Sequence, residues 1–218
     1  MMVDLRYYKT IIFDCDGVVL NSNSIKTHAF YLAAVPYGTS AADQLVAHHI
    51  ANGGISRYSK FSTFLTKIVP HKSGPGMAEL LETYEAHVRE QLHTCEIEPS
   101  LYELRNDTVS SRWMLVSGSS QRELVEIFFQ RGLDKLFDGG IFGSPCTKDE
   151  IFSRERINGN LLDNGIYLGD SKYDHQAASL AGLDFIFVSQ WTEFADWAKY
   201  CDDNCIEKVR CLAELIQA

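Results

Sequence analysis

Apolar positions in this chain fall into two kinds of run, and their order predicts an architecture. The first run is Ile11-Ile12-Phe13, an unbroken apolar triplet that ends on Asp14, Asp16 and Gly17. A short apolar run closed by turn residues reads as a buried strand. From about residue 23 to 94 the spacing becomes helical and no strand signal appears. Residues 26–34 read as a first helix, stopped near Pro36 and Gly38. Ser40 with Asp43 opens a second helix running to about Ile50, and Asn52-Gly53-Gly54 is a break. Ser56 starts a third helix, with Phe61, Phe64, Leu65 and Ile68 at helical spacing. After a loop over 70–75, residues 77–92 give a long amphipathic helix through Leu80, Leu81, Tyr84 and Val88.

From Glu98 the two kinds of run alternate. Pro99-Ser100 with Glu103 marks a helix start, and 113–116 is an apolar strand ending in Ser117-Gly118-Ser119. Ser120-x-x-Glu123 is a capping box before Leu124, Val125, Ile127 and Phe128. A short strand at 140–142 precedes a second capping box, Thr147-x-x-Glu150, with Lys148 in its first turn. A strand at 165–168 ends in Gly169-Asp170-Ser171, and a helix follows through Ala177 and Leu180 to Ala181-Gly182. Residues 185–188 read as the last strand, before a helical tail. This alternation predicts an α/β fold, a Rossmann-like parallel sheet with helices on both faces. Residues 1–20 and 96–218 form this core, and 21–95 form an all-helical insertion. Ligands of such sheets bind beyond the carboxyl ends of the strands. Asp14, Asp16, Ser117, Lys148 and Asp170 all fall on that edge.

Composition narrows the partners. The chain has 218 residues and a formal net charge of -9, which argues against nucleic acid or an anionic membrane. An anionic small substrate remains compatible, provided the site carries its own cations. No apolar stretch approaches a membrane span, and the N-terminal MMVDLRYYKT has no signal-peptide apolar region, so a cytoplasmic location is expected. The six cysteines lack paired C-x-x-C spacing and read as reduced thiols rather than a zinc site. Cys15, between two acids, reads as packing.

Taken singly, the edge residues are unremarkable. An Asp after a strand caps helices, a Ser before a helix does the same, and a lone Lys is a solvated charge. As an ordered set they carry more. The segment Asp14-Cys15-Asp16-Gly17-Val18 resembles motif I of the haloacid dehalogenase (HAD) superfamily, Ser117 in LVSGSS motif II, Lys148 motif III, and GDSKYD with Asp170 and Asp174 motif IV. The resemblance implies that Asp14 attacks a phosphoryl group and that Asp16 handles the proton. It implies that Ser117 and the Gly118 amide bind phosphoryl oxygens and that Lys148 stabilises their charge. Mg2+ would be held by Asp14, the backbone carbonyl of Asp16, and Asp170, with Asp174 as ligand or neighbour. Both acids suit these tasks: a carboxylate can form an acyl-phosphate, and a second can move the proton.

The insertion after motif I resembles the C1-type helical cap of the phosphoglycolate phosphatase and β-phosphoglucomutase branch. Asn21 stands where an Asp is common in that branch, and Lys26 where the mutases carry a His. Gly53-Gly54-Ile55-Ser56-Arg57 resembles the cap loop that supplies a substrate-contacting Arg. The expectation is a Mg2+-dependent phosphatase for a small phosphorylated metabolite, a sugar phosphate being one class. Arg57 is expected in the cleft opposite Asp14, with Lys26 or Lys60 lining it. A phosphomutase is the alternative, and a C–P hydrolase with Lys60 as Schiff-base former is another. A catalytically silent binding module would require a damaged motif, and none is damaged.

Overall fold

The computed structural model describes residues 3–217. Its centre is β1 (Thr10–Phe13), buried along its whole length. Helices α1 (Asn23–Ala34), α2 (Thr39–Ala51), α3 (Arg57–Thr63), α4 (Met77–Thr94) and α5 (Leu101–Asp107) all lie between β1 and β2 (Arg112–Ser120). Then follow α6 (Gln121–Gln130), β3 (Ile141–Ser144), α7 (Lys148–Ile157), β4 (Gly165–Gly169), α8 (Lys172–Leu180), β5 (Asp184–Val188), α9 (Trp197–Asp203) and β6 (Glu207–Val209). The six strands form one parallel sheet in the order β3-β2-β1-β4-β5-β6. That is the doubly wound order, whose ligand crevice opens where the strand order reverses, beside β1.

The sheet explains the unbroken apolar run. Ile11 and Phe13 pack into the layer that also holds Trp113, Leu115 and Leu168. Ile12 faces the other way, with Met114, Val116 and Tyr167. Successive strand side chains point to opposite faces, and here both faces are covered. Phe13 is the hub of an aromatic cluster, its ring 4.4 Å from Trp113 and 5.8 Å from Phe137.

The helical insertion leaves and re-enters the core through two adjacent segments. The Asn21 N–H donates to the Glu96 carbonyl, and the Glu98 N–H donates to the Val19 carbonyl. Within the insertion, Phe30, Phe61 and Tyr84 from α1, α3 and α4 meet ring against ring. Among the described residues, no helix is long and apolar enough to cross a membrane.

Three local readings differ from the structure. The strand at 185–188 is not the last one: Glu207–Val209 adds a parallel edge strand. With three residues, two of them exposed and charged, it carries no apolar signal. The second strand runs four residues beyond Val116, past a register shift, because its polar end still pairs with β3 at Ser144. Ser120 makes no side-chain cap, whereas Thr147 and Glu150 form the reciprocal capping box as read. Glu123 is drawn away from the cap position by cations of the insertion, described below.

Because Phe13 packs against the Trp113 and Phe137 rings and leads directly into Asp14, truncation leaves a cavity under the sheet edge. Phe13→Ala is expected to cost about 3–5 kcal/mol of stability. Urea unfolding measures it, and a loss below about 1 kcal/mol would show that the cluster does not fix this strand.

Candidate functional site

The carboxyl edge of the sheet brings three acids and a lysine into a small volume. Asp14 follows β1, Asp170 follows β4, Asp174 sits on the first turn of α8, and Lys148 opens α7. All four are buried, with Lys148 only 1% exposed. Its Nζ lies 3.1 Å from Asp14 Oδ1, donates to the Tyr167 hydroxyl at 2.7 Å, and pairs directly with Asp174. Burial pulls the Lys148 ammonium down, but the Asp14 and Asp174 carboxylates outweigh it and hold its pKa above the ordinary lysine range.

Asp174 is fully occupied. Its Oδ1 takes the Lys148 ammonium and the Tyr167 hydroxyl, and its Oδ2 takes the Ser171 hydroxyl and the Asp170 and Ser171 N–H groups. It therefore anchors Lys148 and closes the start of α8. Asp170 Oδ2 accepts from Asn23 Nδ2 at 2.7 Å, and Asn23 also donates to the Trp191 carbonyl.

Asp14, Asp170 and Asp174 each bring a carboxylate oxygen within 4.8 Å of the others. Burial pushes Asp14 up to about 7, against the pull of Lys148 and with Asp174 and Asp16 adding to the rise. Burial and then Asp174 push Asp170 well above the carboxylate range. Among the described residues Asp14 Oδ1 is buried and accepts no hydrogen bond, and its only close cation is Lys148. Like-charged buried carboxylates without enough cations are the donor set of a hard divalent ion such as Mg2+. The residues present fit that group.

Asp16 sits apart from this cluster. Its carboxylate accepts from Ser22 Oγ at 2.5 Å and Ser119 Oγ at 2.8 Å, and Lys26 Nζ lies 2.7 Å from both oxygens. Burial would raise it, but Lys26 and the two hydroxyls overcome that and hold it at about 2. Asp16 is thus a carboxylate whose side chain is tied to Lys26 and Ser22 and to Ser119 of β2. Burial holds the neighbouring Cys15 thiol well above its usual value, consistent with a packing role.

The insertion closes over the edge. A Cβ on Gly118 would lie 2.2 Å from the Gly54 carbonyl oxygen, so the two backbones touch where only glycine fits. Gly54 itself has φ +78°, and a Cβ there would lie 3.4 Å from Lys148 Nζ. Arg57 donates from Nη1 to Glu123 Oε2 on α6 at 2.7 Å and from Nη2 to Glu85 on α4 at 3.0 Å. Lys26 also approaches Glu123, at 3.8 Å. These contacts enclose a cavity of about 250 Å3 lined by Asp14, Asp16, Asp170, Gly118, Lys26, Arg57 and Lys60, among others.

The residues singled out from sequence therefore converge, with differences. Arg57, Lys26 and Lys60 all line the cavity with Asp14, but the Arg57 guanidinium is spent on Glu123 and Glu85. Ser117 is buried, and its hydroxyl accepts the Ser119 N–H at 3.1 Å. Sequence reasoning passed over Ser119, Asn23, Glu123 and Tyr167. Ser119 and Asn23 stand in polar clusters, SGSS and NSN, that hinted at them. Tyr167, inside an apolar strand, gave no hint.

The haloacid dehalogenase-like hydrolase family model matches residues 11–188. No curated protein sequence matches the chain. Among solved structures, CbbY from Rhodobacter sphaeroides in complex with phosphate superposes with a TM-score of 0.69 at 18% identity, covering 95% of this chain and 96% of that one. The HAD hydrolase candidate YfnB from Bacillus subtilis, bound to magnesium, gives 0.65 at 19% identity, covering 95% and 96%. A candidate phosphoglycolate phosphatase from Lactobacillus plantarum gives 0.69 at 15% identity, covering 95% and 97%. These likenesses establish a shared fold.

The acid cluster makes a prediction about pH and metal. With Asp14 at about 7 and Asp170 also raised, the metal-free folded chain binds more protons than the unfolded chain, whose carboxyls titrate at about 4. Stability from these two groups is therefore lost as pH rises through that window. Asp16, at about 2, acts oppositely, and its contribution is lost only as pH falls below about 4. A divalent cation binds the ionised carboxylates and offsets the first loss. The Mg2+-induced rise in Tm is expected to be small at about pH 5, to grow by about pH 8, and to vanish in Asp170→Asn. An increment independent of pH, or one retained in Asp170→Asn, would contradict the assignment.

Proposed function

The chain belongs to the haloacid dehalogenase-like hydrolase family, and from that premise we propose that it is a Mg2+-dependent phosphatase of small phosphorylated metabolites working through an aspartyl-phosphate on Asp14. The observation that carries this reading is the buried Lys148–Asp14 ion pair of 3.1 Å within the three-carboxylate cluster, in which Asp14 lines the cavity. A nucleophile with a free buried oxygen, beside a fixed cation and a cluster suited to a metal, is what phosphoryl transfer requires. CbbY with its bound phosphate and YfnB with its magnesium lend support from the same fold.

In this reading Asp14 forms a bond to phosphorus as the bond to the alcohol oxygen breaks. Lys148, held by Asp174 and Tyr167, faces the negative charge that develops on the transferring oxygens. Ser117 and the Gly118 amide, in the polar last part of β2, complete the phosphoryl cradle. Asp14, Asp170 and the Asp16 carbonyl, with Asp174 behind them, would hold Mg2+, which would supply further charge neutralisation when bound. Asp16, as a carboxylate, is in the form that takes a proton from water for hydrolysis of the aspartyl-phosphate. To protonate the leaving oxygen it must first part from Lys26 and gain a proton from solvent, so Lys26 controls that step by position. The cavity of about 250 Å3 suits a small metabolite.

A lysine salt-bridged to Asp16 stands where the mutases carry a His. This favours water over a second sugar as acceptor, because the insertion binds the proton-handling acid through a fixed charge.

Phosphate release from p-nitrophenyl phosphate and from alkyl phosphates tests the reading. Turnover is expected with Mg2+ and not with EDTA. Asp14→Asn is expected to lower kcat by about a thousandfold or more, as loss of a nucleophile does. Asp16→Asn and Lys26→Met are expected to slow alkyl phosphates more than the aryl ester, whose leaving group needs no proton. Full activity in EDTA, or near-normal turnover by Asp14→Asn, would refute the mechanism.

A further inference from the structure

The cavity wall contributed by the insertion carries three buried cations, and their partners differ. Lys26 is neutralised by Asp16 and Arg57 by Glu123 and Glu85. Lys60, 3% exposed, has no carboxylate partner among the described residues. Its Nζ lies 2.7 Å from His49 Nδ1 and 5.6 Å from the centre of the Phe30 ring. A ring face and a neutral imidazole give an ammonium little compensation for lost water. Burial, and then Lys26, draw the Lys60 amine down to about 7. Burial and Lys60 in turn hold His49 well below its usual value, so its Nδ1 is an acceptor and fixes one Lys60 hydrogen. Among the described residues the other hydrogens of Nζ have no acceptor, and three residues earlier on α3 the buried Arg57 Nε has none either.

A chain that buries a lysine at this cost, facing the same cavity as Asp14, has left the counter-charge to something that enters it. In the phosphatase reading Lys148 and the acid cluster serve the phosphoryl group from the sheet edge, whereas Lys60 lines the cavity from α3 of the insertion. We propose that the Lys60–His49 pair is the receptor for a second anionic group on the substrate, at the end remote from the phosphoryl group being transferred. The shared chemistry is an oxyanion, carboxylate or phosphate, held by the Lys60 Nζ donors. His49 orients the amine from behind. This rests on the phosphatase reading for which end of the substrate reacts, but the binding of the remote end can be measured without turnover.

The experiment uses three compounds of one chain length: propyl phosphate, its analogue ending in a carboxylate, and propane-1,3-diyl bisphosphate, with the corresponding five-carbon set. Their affinities are measured by calorimetry, with Mg2+, on the full chain carrying Asp14→Asn, alone and combined with Lys60→Met or Lys60→Gln. Wild-type protein is assayed for phosphate release from the same compounds. In the Asp14→Asn background, at least one anionic-ended compound is expected to bind about 10- to 100-fold tighter than its neutral-ended counterpart, the size of one charge-assisted hydrogen bond. Whether carboxylate or phosphate gains more identifies the source. Both Lys60 variants are expected to erase that preference. Equal binding of all three compounds at both lengths, or a preference that survives both Lys60 variants, would overturn the proposal. If the preference is found but wild-type protein releases no phosphate from any compound, the anion site stands and the phosphatase reading fails.

Discussion

The burial of one lysine among acids is the constraint on which the rest of this molecule depends. Lys148 can be 1% exposed only because Asp14 and Asp174 lie against it. Removing either acid would leave an uncompensated charge in a low-dielectric site, which costs several times more than the ion pair gains. That demand fixes three strand ends at once. β1 must deliver Asp14, β4 and the first turn of α8 must deliver Asp174, and the connection after β3 must deliver Lys148. Tyr167, Ser171 and two backbone amides hold Asp174 so that it in turn holds the lysine. The parallel sheet is the frame that makes these ends converge, and the two-sided core beneath it keeps them there.

A second set of charges joins the insertion to this frame. Lys26 reaches from α1 to Asp16 and Ser119, Arg57 from α3 to Glu123, and Asn23 from α1 to Asp170. Each bond runs from the insertion to the edge or to α6, and the Gly54–Gly118 approach removes the space between them. The insertion is thus closed by the same groups that would govern the proton and the metal. Closure and chemistry share residues, so opening the cavity releases Asp16 from its cation. Among the insertion's three buried cations, Lys60 is the one that makes no such bond to the described residues.

Much of this was legible in the sequence, and the illegible part has physical causes. The apolar triplet before Asp14, the alternation after Glu98 and the polar residues after each strand all mark a parallel sheet with one working edge. Those patterns arise from burial on two faces and from the chemistry of strand ends, both local properties. The roles of Arg57 and Glu123 were not legible. Glu123 sits at the capping-box spacing, and nothing local shows that a guanidinium from 66 positions earlier competes for it. Lys26 looked like a substrate contact and is a partner of Asp16, because long-range pairing, not spacing, decides where a lysine points. Strand β6 was missed since an exposed edge strand of three residues needs no apolar pattern.

The central claim is that Asp14 becomes covalently phosphorylated. Rapid acid quench of the wild-type protein during turnover, followed by peptide mass mapping, tests it most directly. The account predicts a phosphoryl adduct on the peptide containing Asp14, lost on neutral or alkaline treatment as an acyl-phosphate is and absent from Asp14→Asn. A phosphoryl adduct on any other residue, or steady turnover with no adduct on Asp14 at any quench time, would contradict it.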